Sequence, residues 1–87
     1  MQLQEQLREL VELAGQAGIE VRSGPSRAEG ETPGGGLVSL RGHEVLFLNS
    51  QASLADRVAA VAAALKGRRQ IEDNFILPEL RALIDQQ

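Results

Sequence analysis

Two short β-forming runs, Leu37-Val38-Ser39-Leu40 and Glu44-Val45-Leu46-Phe47-Leu48, flank a glycine turn and are followed closely by an alanine-rich amphipathic stretch. This order predicts an antiparallel hairpin with a helix laid across it. A two-residue turn at Gly42-His43, with glycine first as in a type II′ turn, sets Arg41 opposite Glu44, Leu40 opposite Val45, Ser39 opposite Leu46 and Val38 opposite Phe47. One sheet face then collects Val38, Leu40, Val45 and Phe47, and the other carries Leu37, Ser39, Arg41, Glu44, Leu46 and Leu48. Phe47 and its neighbours are expected to form the floor for the helix. Leu37, Leu46 and Leu48 then need cover from the carboxy-terminal segment or from another subunit, which makes them the candidate interaction residues.

Ser53 followed by Asp56 has the form of a capping box, with aspartate where glutamate is usual, and starts a helix from Leu54 to about Lys66. Its stripe is Leu54, Val58, Val61 and Leu65, flanked by Ala55, Ala59, Ala60, Ala62, Ala63 and Ala64. Alanine flanks favour helix at little entropy cost and let a neighbouring backbone approach closely. Upstream, Leu3, Leu7, Leu10, Val11, Ala14 and Ala17 line one side of a helix over about 3–17 that Gly18 ends. Ile19-Glu20-Val21-Arg22 alternates like a half-buried edge strand. The Gly/Pro-rich stretch 23–36 reads as a flexible loop. Residues 70–77 are compatible with either a turn or a short helix, and Pro78 opens a last short helix buried through Leu80, Leu83 and Ile84, with Leu77 or Phe75 pinning its entry to the core. The fold class expected is α+β: one domain over 1–87, a small antiparallel or mixed sheet of about three strands, in the order helix, strand, loop, hairpin, helix, short helix.

A chain of 87 residues supports one modest core, burying about 60 to 65% of the surface its unfolded form exposes. Cysteine is absent, which excludes disulfides, thiolate metal sites and sulfur nucleophiles. Twelve acidic against nine basic side chains give a net charge of -3, which suits a cytoplasmic protein and argues against nucleic acid as a partner. Without Trp or Tyr there is no platform for stacking bases. The short basic cluster Lys66, Arg68, Arg69 fits a helix end. The sequence contains no apolar run approaching the roughly 20 residues of a membrane span, and Met1 to Gln6 lacks a secretory pattern. A cytoplasmic setting is expected.

No set of polar residues matches a known catalytic or metal-binding arrangement, so no catalytic residue, metal or cofactor is assigned. Gly34-Gly35-Gly36 leads into a strand, whereas phosphate-cradling glycines lead into a helix. Their N–H groups, with Arg41 nearby in sequence, form the candidate anion site, set against a closely packed or flexible turn. His43, the only histidine, is expected at the hairpin tip, exposed beside Glu44 and without a nucleophile. Glu72, Asp73 and Asn74 carry oxygen ligands but lack the spacing of a cation loop.

The run Gly42-His43-Glu44-Val45-Leu46-Phe47-Leu48-Asn49, then Ser53 to Gly67, resembles the strand, asparagine and capped helix of ImmA/IrrE-type metallopeptidase-like domains. In that family the helix carries His-Glu-x-x-His, binding zinc and activating water. With Arg57 aligned to the family's arginine, those positions fall on Ala63, Ala64 and Gly67, so no zinc or protease role transfers. If ancestral, the resemblance implies a reduced domain that kept the scaffold and lost the metal. The wider pattern, closing with Leu77-Pro78-Glu79-Leu80-Arg81, is similar to small bacterial single-domain proteins without assigned activity. The function expected is a noncatalytic module that binds itself, as a homodimer, or another protein; the alternative is a small-molecule or anion-binding module using the Gly-rich loop.

Overall fold

A computed structural model of the protein describes residues 1–25 and 34–87; most of the loop expected over 23–36 therefore lies outside the described residues. The elements in chain order are α1 (Leu3–Gln16), β1 (Glu20–Gly24), β2 (Gly35–Leu40), β3 (His43–Asn49), α2 (Leu54–Leu65), a single turn α3 (Arg69–Glu72) and α4 (Pro78–Asp85). The three strands form one mixed sheet in the order β1-β3-β2, with β1 parallel and β2 antiparallel to the central β3. The helices pack on one face of it: α1 meets β1 and α2, α2 lies over β2 and β3, and α4 packs on α2. This is the α+β architecture expected from the sequence.

The hairpin turn is Arg41-Gly42, not Gly42-His43. Both residues have positive φ, 54° and 79°, as a type I′ turn requires, and glycine at the second position lowers the cost. Leu40 therefore pairs with His43, Ser39 with Glu44, Val38 with Val45 and Leu37 with Leu46. Relative to the expected register the strands have slid by two residues, which leaves the membership of each face unchanged.

Which face turns inward is the reverse of the expectation. Leu46 is 1% exposed and Leu48 3%, both inside the core formed by Leu10, Ala14, Val58, Val61, Leu65, Ile71 and Ile84, among others. Phe47 is 42% exposed and Leu40 53%; the helices do not rest on them. The third strand decides this. Parallel pairing sets Val21 beside Leu46, and Glu20 and Arg22 beside Val45 and Phe47. Covering the Phe47 face with helices would bury both charges, whereas covering the Leu46 face buries Ile19 and Val21. Val45 is nevertheless buried, in the middle of the central strand between Glu20 and Val38.

The Ser53 cap is present: its Oγ accepts from the Asp56 N–H at 3.0 Å. Residues 70–77 resolve into the single turn α3, which buries Ile71, and an extended entry to α4. Ile76 anchors that entry. Phe75, at 84% exposed, and Leu77 do not, because Pro78 at the first helical position holds the preceding residue extended and turns alternate side chains outward.

Candidate interaction site

An open groove of about 380 Å³ runs between β2 and the alanine flank of α2. Gly34 to Leu37 form one wall, Asp56, Ala59, Ala60, Ala63 and Ala64 the other, with Leu46 between them and Gln87 at one end. Small side chains on both walls create it. A Cβ on Gly34 would overlap the carbonyl oxygen of Asp56, and one on Gly35, whose φ is 147°, would overlap that of Phe47. These glycines let β2 begin hard against both α2 and β3. The Gly34 carbonyl accepts from the Asn49 N–H at 2.9 Å, extending the ladder.

Two sets of residues singled out in the sequence thus partly converge. Gly34, Gly35, Gly36, Leu37 and Leu46 share the groove, while Leu48 lies within the core. Leu37, 40% exposed, is the accessible one of the three leucines. Arg41 does not join the glycines: it sits in the turn at the other end of β2, roughly 20 Å along the strand. Among the described residues, the one charged side chain lining the groove is the carboxylate of Asp56, which disfavours an anion. Ala63, Ala64 and Gly67, the positions aligned with the metallopeptidase motif, offer no metal-binding atoms in their side chains. Glu72, Asp73 and Asn74 are exposed around the end of α3, where the Asn74 amide caps the Gln70 carbonyl at 2.6 Å. Among the described residues no three His, Asp or Glu side chains are grouped to hold a metal ion.

His43 opens β3 instead of occupying the turn, and its side chain is on the helix-free face, 3.1 Å from the Glu20 carboxylate through Nε2. Glu20 also accepts from Arg22. The Arg22 hydrogen bond first, then that of His43, holds the Glu20 carboxyl below its ordinary range. All three side chains are more than a third exposed, and among the described residues no hydroxyl nucleophile is bonded to them. The cluster is a polar rim to the apolar surface of Val38, Leu40 and Phe47.

On the opposite face, Glu44 and Arg68 form a two-pronged pair at 2.7 and 2.6 Å, while Arg68 Nε donates to the Ala64 carbonyl at 2.6 Å. Arg68 thereby closes the carboxy-terminal end of α2 and ties it to β3. The two hydrogen bonds lower the Glu44 pKa and raise that of Arg68. Sequence reading missed this pair: Glu44 shares a face with Leu46 and Leu48, but at 37% side-chain exposure nothing in the sequence marks it as paired with Arg68. It missed the Glu20 cluster because alternation marks β1 as a strand without revealing its neighbour. Lys66 turns to the chain end, donating to the Gln87 carbonyl.

Compared with known proteins, the chain matches no family model, no curated protein and no solved structure.

Proposed function

We propose that this chain is a noncatalytic interaction domain that associates with itself. The observation that carries the reading is the conjunction of an apolar groove with a strand edge whose Leu37 and Ser39 backbone groups have no partner among the described residues. β2 is an edge strand, and its residues Gly35 to Leu40 include no charge and no proline, the usual protections of an exposed edge. The other edge, β1, carries Glu20 and Arg22. Beside β2, Leu37 and the α2 alanines present apolar surface, and among the described residues no bulky side chain stands over it to keep another backbone away. A shallow, apolar, one-carboxylate groove suits a protein surface better than a phosphate or a substrate that must be polarised.

The mild negative charge and the lack of cysteine support a cytoplasmic setting. No helix among the described residues is long and apolar enough to cross a membrane. Light scattering on a size-exclusion peak, repeated over a dilution series, tests the reading. The expected mass approaches twice the 9.4 kDa of one chain as concentration rises. A particle that stays at one chain throughout refutes it.

A further inference from the structure

We infer that the occupant of the groove side is a second copy of this chain, docked so that the two β2 strands pair antiparallel about a two-fold axis through Val38 and the sheets join into one of six strands. This rests on the self-association reading and specifies its geometry. Backbone polarity is the first argument. Asn49 N donates to Gly34 O, so in the alternating antiparallel ladder the even-numbered residues of β2 bond to β3. Leu37 and Ser39 therefore direct their N–H and C=O groups away from the sheet, and neither has another backbone partner among the described residues. A second β2 strand satisfies them.

Symmetry narrows the register. A two-fold axis perpendicular to the sheet keeps both helix layers on one side, so residues opposite each other across the new pair must come from the same face. With Val38 on the axis, Val38 faces its own copy, and Leu37 faces the other chain's Ser39. The two grooves then confront each other, and the Ala59 and Ala63 flanks of both α2 helices are drawn together.

Charge complementarity selects a second copy over an unrelated peptide. In this register Arg41 of one chain lies opposite Gly35 of the other, and the neighbouring Gly34 abuts the backbone of Asp56. Among the described residues neither Arg41 nor Asp56 has an ion-pair partner within its own chain. A cation at the end of β2 and an anion at its start, neither ion-paired within its own chain among the described residues, meet twice in an antiparallel dimer. A parallel arrangement would set like against like.

The experiment combines charge reversal with crosslinking. Arg41→Asp and Asp56→Arg, measured singly by sedimentation equilibrium, each weaken the dimer about tenfold, because attraction becomes repulsion at two symmetry-related contacts. The double variant returns to within about threefold of the parent chain. Aspartate tolerates the left-handed backbone at position 41, so the turn survives. Since the chain has no cysteine, Val38→Cys gives a disulfide-linked dimer on mild oxidation, and Phe47→Cys gives none. A parent chain that dimerises but ignores both reversals, or that crosslinks through position 47 and not 38, overturns this geometry while self-association stands. A chain that never dimerises overturns both.

Discussion

Adjacent residues on β3 have opposite fates in this fold, and truncating each in turn measures which sheet face bears the core. Leu46→Ala removes three carbons from a site 1% exposed. At about 0.8 kcal/mol per buried methylene the transfer loss is roughly 2.4 kcal/mol. The space left lies beneath α2 and relaxes incompletely, which raises the total to about 3–4 kcal/mol. Phe47→Ala removes a larger group, but one 42% exposed on a face without helices. Full burial of a phenylalanine is worth about 1.5–3 kcal/mol, so the covered portion contributes about 1–1.5 kcal/mol, with no enclosed cavity to add. A domain of this size has a stability of about 4–13 kcal/mol, so the leucine variant loses a large share. Urea unfolding at one low protein concentration, where association adds little, reads both values. If Phe47→Ala costs as much as Leu46→Ala, the assignment of the faces is wrong.

Ser53→Ala removes the cap on α2 and lowers stability by about 1 kcal/mol, whereas Ser53→Asp holds it near the parent value; thermal unfolding followed by circular dichroism distinguishes them. Gly34→Ala forces a methyl group onto the Asp56 carbonyl and costs about 1–3 kcal/mol in denaturant unfolding, while Gly24→Ala, which meets open space, stays within about 0.5 kcal/mol of the parent. The Glu44–Arg68 pair contributes to stability above the unfolded carboxylate pKa, because the folded value is depressed, and that contribution disappears as pH falls through the folded value. Glu44→Gln is therefore less stable than the parent at neutral pH, with the gap closing in acid; a gap unchanged down to acid pH would contradict the pairing.

Much of the architecture is legible in residue order. The stripe of Leu54, Val58, Val61 and Leu65, the Ser53 cap and the Pro78 start each signal local structure, and the structure has helices where those signals lie. Alternation in the hairpin also separates Val38, Leu40, Val45 and Phe47 from Leu37, Leu46 and Leu48 correctly. Alternation cannot say which set faces inward. That depends on Glu20 and Arg22, more than 20 residues from Phe47, arriving beside it through a parallel pairing that leaves no local trace. The turn escapes sequence reading for a different reason: glycine occupies the second left-handed position, and arginine accepts the first at some cost. The groove was half visible. Glycines before Leu37 and alanines along α2 are both apparent in the sequence, but only their juxtaposition shows that the glycines serve close packing against Asp56 and Phe47.

Amide hydrogen exchange at Leu37 and Ser39 tests the central claim most directly, since these two N–H groups point out from the β2 edge in a single chain. The account predicts rapid exchange in dilute solution and strong protection at concentrations where light scattering finds the doubled mass. Rapid exchange at both positions in a sample shown to be dimeric would place the contact elsewhere and contradict it.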